Sequence, residues 1–146
     1  MISLDQSPAG RGSAFGLLAL RVVAGVIFIA HGYLKAFKMG MPGTIGFMTH
    51  LGIPSAPVAA YFSVIAELVG GAALILGIFT VPFGIALVID MIGAIWFAKR
   101  GGGLLAPKGF ELELLLLASA LCLAFTGPGV LSIRGALPTR RGEASP

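Results

Sequence analysis

Four long, almost uninterrupted apolar runs constrain this chain more than any other feature of its sequence. They cover about residues 14–37, 58–78, 82–97 and 110–125, and the stretch "SVIAELVGGAALILGIF" in the second contains a single charged residue, Glu67. A helix of about 20 apolar residues crosses a hydrocarbon core about 30 Å thick. The runs are continuous rather than alternating, which favours helices over barrel strands. The sequence therefore predicts an all-α membrane protein, an antiparallel four-transmembrane-helix bundle.

The composition supports the same fold class. Of the 146 residues, 57% are hydrophobic and 11% are charged, and the mean hydropathy is +0.98. A soluble domain of this length needs a larger polar surface. We predict one membrane domain over residues 14–134, with polar tails at 1–13 and 135–146. The net charge of +4 does not indicate a nucleic-acid partner, because the basic residues cluster at the ends of the apolar runs, where membrane lipids explain them.

Four spans place both termini on the same side of the membrane. Equal numbers of basic residues flank the two sides, so the positive-inside rule gives no orientation. The first run is interrupted by Arg21 and is too long for a cleaved signal peptide, so it is expected to remain as the first span. In the connection from 38 to 57, "TIGFMTHLGIP" is predicted to be a short interfacial or re-entrant segment.

The charged residues inside the runs are the candidate site. At helical spacing, Arg21, Glu67 and Asp90 lie on stripes of small residues, which face the interior of membrane bundles. An unpaired charge at mid-bilayer costs about 2.5–3.5 kcal/mol on insertion scales, so we expect these three to pair, with one acid holding a proton. His31 and Lys35, further along the first run, complete the predicted polar cleft. The alternatives are snorkelling of the basic residues, a purely structural ion pair at Glu67, and a packing role for His31.

Other chemistry has little support in the sequence. Cys122 is the single cysteine and there are two histidines, so no metal site is expected. Motifs for nucleotides, zinc or a hydrolase nucleophile are missing, and no cofactor motif is recognisable. Glu111 and Glu113 begin the fourth run at about the depth of Lys35, and acids in a first helical turn are favoured by the helix dipole.

The order of several segments resembles the DoxX family of small four-helix membrane proteins. These segments are "LRVVAGVIFIAHGYLKAF", "FMTHLGIP", "AELVGGAALILGIFTVPFGIAL" and "GFELELLLLASALCLAFTGPGVLSIR". The likeness covers about residues 17–133. Where the family often ends in Ser-Leu-Asp, this chain has Ser-Ile-Arg, with Arg134. The resemblance implies that the glycines of the pattern serve helix packing. The residues that match the family pattern are Arg21, Gly32, Lys35, Glu67, Gly70, Gly71 and Gly77.

The resemblance also implies a function. The family is associated with sulfur oxidation through a related subunit of a thiosulfate:quinone oxidoreductase. We therefore expect an accessory subunit of a quinone-linked or thiol/sulfur-linked redox system in the bacterial cytoplasmic membrane. Its cleft would bind a quinone, and an oxidoreductase partner would supply electrons. Two alternatives remain at this point: a non-catalytic assembly partner, and a small proton-coupled transporter or lipid-binding protein that acts as a homo-oligomer. Whether the chain is itself an enzyme stays open.

Overall fold

The fold consists of helices only over the part of the chain that is described. The computed structural model describes residues 8–105 and 107–133, which contain no β-strand. Residues 1–7 and 134–146, which include most of both predicted tails and Arg134, lie outside that range. The five helices are α1 (residues 8–38), α2 (Gly40–His50), α3 (Ala56–Leu76), α4 (Thr80–Ala98) and α5 (Glu111–Thr126).

Three of these helices are long and apolar enough to cross a membrane. They are Gly12–Lys38 with 27 residues, Ala56–Leu76 with 21 and Thr80–Ala98 with 19. The chain is therefore a multi-pass membrane protein, and the predicted all-α class is confirmed. Helix α5 has 16 residues, fewer than the roughly 20 that a span needs. A fourth span thus remains a prediction.

Close contact between glycines sets the register of α1 against α3. A Cβ added to Gly25 would lie 2.6 Å from the carbonyl oxygen of Gly71, and a Cβ added to Gly32 would lie 3.0 Å from the Cβ of Glu67. Small residues let two membrane helices approach closely. As residue numbers rise along α1, the facing numbers on α3 fall, so the two helices are antiparallel. Gly70, on another face of α3, packs against Leu87 of α4.

The tight turn between α3 and α4 depends on Gly77. This residue has a φ of 69°, a left-handed conformation that glycine adopts without steric cost. The Gly77 N–H donates to the Leu74 carbonyl at 3.1 Å, and the Ile78 N–H donates to the Ala73 carbonyl at 3.0 Å. These two bonds form a Schellman motif, which satisfies carbonyls at the helix end. The turn therefore brings α4 back along α3.

The remaining helices pack at the two sides of this pair. Helix α5 packs along α4, where Gly84 contacts Ala120 and Ala124. Helix α2 packs on the N-terminal half of α3, and Met48 joins Ala60 in a separate small core. The segment predicted to be interfacial is therefore part of a helix, Gly40–His50. Helix α2 lies over the end of the bundle where α1 finishes, and this arrangement encloses the cavity described next.

Candidate functional site

Each of the three candidate spans contains one π-helical turn, and all three turns lie at the same cavity. In such a turn a backbone N–H bonds to the carbonyl five residues earlier, as Met39 does to Leu34 at 2.9 Å and Lys99 to Ala94 at 3.2 Å. These turns are rare and occur frequently at functional sites. They are Leu34–Lys38 in α1, Ala66–Gly70 in α3 and Ala94–Ala98 in α4.

The cavity has a volume of about 480 Å³ and receives side chains from all five helices. Pockets that bind small molecules have about 300–1,000 Å³ and mostly apolar walls. Here the walls include three aromatic rings, those of Phe47, Phe62 and Phe97. Helix α2 covers the cavity, and its buried Thr44 hydroxyl donates to the Lys35 carbonyl at 2.8 Å. The site is therefore a mostly apolar cavity that α2 closes on one side.

An ion pair lies at one wall of this cavity. The Lys35 Nζ lies 2.9 Å from Glu67 Oε2 and donates to the Ser63 hydroxyl at 2.6 Å. The Glu67 side chain is 1% exposed and that of Lys35 is 22% exposed. Asp90 lines the same cavity, and one oxygen of each acid, Glu67 Oε2 and Asp90 Oδ2, is buried without a hydrogen-bond partner in the described structure apart from the ion pair with Lys35. A buried polar atom without such a partner is costly, so these two oxygens favour a ligand that can donate to them.

A second ion pair and a histidine complete the polar lining. Lys99 Nζ lies 3.4 Å from Glu113 Oε1, with the Glu113 side chain 14% exposed, and His31 also lines the cavity. Among the described residues that line it, two ammonium groups therefore face three carboxyl groups. Each ammonium group is paired with a glutamate, and Asp90 is the carboxyl group of the described lining that neither of them pairs with.

Arg21, the fifth residue of the predicted cleft, lies elsewhere. Its guanidinium donates to backbone carbonyls at the end of α3 and in the segment after α5: Leu74 at 2.9 Å, Ile75 at 3.1 Å, Leu131 at 2.9 Å, and Pro128. The side chain is 2% exposed. The expected pairing of Arg21 with the two acids is therefore not what the structure shows.

The helix register explains this difference. Gly32, not Arg21, lies beside Glu67, and the eleven residues between Arg21 and Gly32 span about 16 Å of helix. Lys35, close to Gly32, is the cation that reaches the acid. Arg21 instead meets the C-terminal carbonyls of α3, where a positive charge is favourable. The structure thus brings together His31, Lys35, Glu67 and Asp90, and separates Arg21 from them.

The predicted cleft does not include three residues of the cavity, Ser63, Lys99 and Glu113, although the sequence places Glu113 at about the depth of Lys35. Ser63 precedes Glu67 by one helical turn, so it lies on the same face of α3 and can hold the same ammonium group. Lys99 ends the third apolar run and Glu113 begins the fourth, and a hairpin between those runs brings them together. The sequence signal for this ion pair was that Lys99 and Glu113 lie on either side of the connection between the third and fourth runs.

Comparison with known proteins agrees with the helix pattern. A sequence model of the DoxX family matches residues 16–100. The chain is 37% identical over 118 residues to a protein of Bacillus subtilis (strain 168) named "Putative oxidoreductase CatD", with 81% of this chain and 84% of the relative covered. It is 30% identical over 123 residues to "Inner membrane protein YphA" of Escherichia coli (strain K12), with 80% and 86% covered. No solved structure matches the chain.

Proposed function

The chain belongs to the DoxX family, and from that premise we propose that it is an accessory membrane subunit of a redox system whose cavity binds the ring of a quinone. The observation that carries the proposal is the cavity of about 480 Å³ beside the mid-span residues Glu67 and Asp90, with aromatic walls and paired ionisable groups. The name of the Bacillus subtilis relative supports a link to oxidoreductases.

The charges of the lining favour a neutral ligand with oxygen acceptors. Both ammonium groups of the described lining are already paired with carboxylates, so an anionic ligand meets no unpaired cation there. An ammonium group has three N–H donors, and Lys35 donates one of them to the Ser63 hydroxyl and lies 2.9 Å from Glu67 Oε2. In our proposal another of its donors binds a ring carbonyl. The rings of Phe62 and Phe97 offer apolar faces to a flat ligand.

A quinone also fits the acid pair chemically. Reduction of a quinone to a quinol adds two electrons and two protons to its oxygens. In our proposal a partner oxidoreductase oxidises two thiols to a disulfide, which releases the same number of electrons and protons. One of the two acids, Glu67 or Asp90, would pass a proton to one ring oxygen as a general acid and regain it from one of the two thiol protons, while the second thiol proton would reach the other ring oxygen. The chain itself binds and orients the ring, and the partner carries out the electron transfer.

We also propose that α5 forms the fourth span of an antiparallel bundle. Its 16 residues extend about 24 Å, and it packs along the length of α4. Both termini then lie on one side of the membrane. The relative named an inner membrane protein supports placement in the bacterial inner membrane.

Binding of decylubiquinone to the detergent-purified protein tests the proposal. Bound quinone is quantified by extraction after gel filtration, in the wild type and in Lys35→Met. We expect the wild type to retain quinone and Lys35→Met to lose at least about tenfold in affinity, since a hydrogen bond to a charged group contributes about 1.5–3 kcal/mol.

The matched control is Lys38→Met, which removes an exposed lysine from the same π-helical turn. Lys38 does not line the cavity, so this variant should bind like the wild type. Failure of the folded wild type to bind quinone refutes the proposal, and so does equal loss of binding in the two lysine variants.

A further inference from the structure

Helices α3 and α4 contact each other along only part of their length. Helix α3 contacts α4 mainly through residues 66–76, whereas its N-terminal part, Ala56–Ile65, packs against α2. The cavity nevertheless receives side chains from both the N-terminal part of α3 and the C-terminal part of α4. The two helices therefore part on the side where the cavity lies.

Phe62 on α3 and Ile89 on α4 mark the space between these helices, which we term the lateral gap. Both line the cavity, yet Phe62 is 40% exposed and Ile89 is 55% exposed. Both lie within candidate membrane spans, so their exposed surface faces hydrocarbon. The other exposed large side chains of the lining, Leu34, Met39, Phe47 and Leu112, lie outside α3 and α4, so Phe62 and Ile89 are the two that flank the space between these helices.

We infer that the lateral gap admits the ligand from the bilayer and holds its hydrocarbon tail, while the ring lies against Lys35 and Glu67. The inference rests on the proposed quinone site and names its substrate class: a lipid-soluble quinone with a tail. A cavity of about 480 Å³ encloses a drug-sized group, so a long tail must leave it. The gap is apolar at membrane depth, and a tail that occupies it stays in an apolar medium.

The charges of the cavity exclude the other common tailed molecules of the bilayer. Fatty acids carry a carboxylate and phospholipids carry a phosphate, and both ammonium groups of the described lining are already paired with carboxylates, so neither anion meets an unpaired cation in the cavity. A quinone ring is neutral and presents two acceptors to the donors of the cavity. Charge complementarity therefore selects the tailed quinone among lipid-soluble occupants.

The test narrows the gap with tryptophan. Ile89→Trp adds a large ring at the gap, and Ile85→Trp is the control because Ile85 lies one helical turn away, is 51% exposed and does not line the cavity. Ile89→Phe adds a smaller ring at the same position and keeps the test valid if Ile89→Trp does not fold. The two probes are decylubiquinone and the same ring without its tail, and each affinity is compared between variants at one detergent concentration.

We expect Ile89→Trp to weaken binding of decylubiquinone by about tenfold, Ile89→Phe to weaken it less, and both to leave the affinity for the tail-less ring unchanged. Ile85→Trp should alter neither affinity. If the gap variants bind decylubiquinone as the wild type does, the lateral gap is refuted and the quinone site stands. If the wild type binds neither probe, the proposed function and this inference both fail.

Discussion

Replacing Arg21 with lysine should weaken the fold and leave the cavity able to bind its ligand. The guanidinium donates to four backbone carbonyls that belong to the end of α3 and to the segment after α5. A lysine ammonium has at most three donors and lacks the planar fork that spans these acceptors. At least one buried carbonyl therefore loses its partner.

The size of the effect follows from those lost bonds. Each buried acceptor without a partner costs about 1–3 kcal/mol, and a shorter reach leaves one or two of the four unpaired. We expect Arg21→Lys to lower the free energy of unfolding by about 2–4 kcal/mol. Because Arg21 lies about 16 Å along α1 from the level of Glu67, quinone affinity of the folded fraction should not change.

Circular dichroism during titration with SDS measures the stability, and gel filtration with quinone extraction measures the binding. The control is Arg100→Lys, since Arg100 is exposed and its guanidinium lies 4.7 Å from the centre of the Trp96 ring. A change at an exposed site alters stability by about 0.5 kcal/mol or less. If Arg21→Lys keeps its stability but loses quinone binding, then Arg21 binds the ligand rather than stabilising the fold, and its assignment to the fold is refuted.

Three further predictions concern glycines and the ion pair. Gly71→Ala should lower the unfolding free energy by at least about 2 kcal/mol, because its Cβ would lie 2.7 Å from the Gly25 carbonyl oxygen. The control is Gly16→Ala, which has open space around it and should raise the unfolding free energy. Titration with SDS compares the two variants. Gly77→Ala should destabilise by a similar amount, and equal stability of Gly77→Ala and wild type would contradict the left-handed turn. Ser63→Ala should weaken quinone binding by several-fold with little loss of stability, since it removes one anchor of the Lys35 ammonium.

The helices were predictable from the sequence because their apolar runs are long and their polar residues are few. The proximity of Glu67 to Asp90 was also predictable, since both acids lie near the middle of their runs among small residues. Whether α5 spans the membrane was harder to predict, because its composition is that of a span but it has only 16 residues. Residue type alone does not distinguish a short span from an apolar helix that does not cross the membrane.

The partner of Glu67 was not predictable, and the reason is geometric. Contact between Gly25 and Gly71 sets which turn of α1 faces Glu67, and the boundaries of the apolar runs do not encode that register. Arg21 and Lys35 lie fourteen residues apart on α1, about 21 Å, so a depth counted from the run boundaries placed the wrong cation at the level of Glu67. The π-helical turns were equally hidden, because intrinsic propensities describe α-helix and strand and carry no signal for a bond to the fifth preceding carbonyl.

Arg21 and Lys35 have different roles in α1 because their side-chain chemistry differs. Arg21 is 2% exposed and donates to four carbonyls, so its planar fork is used up in joining helix ends. Lys35 keeps 22% of its side chain exposed and borders the cavity with a donor to spare. A residue that retains both exposure and an unused donor can bind a ligand, whereas one that has neither can only hold the fold. Arg21 and Lys35 lie fourteen residues apart on α1, about 21 Å, so substitutions at Arg21 should affect stability and leave ligand binding intact.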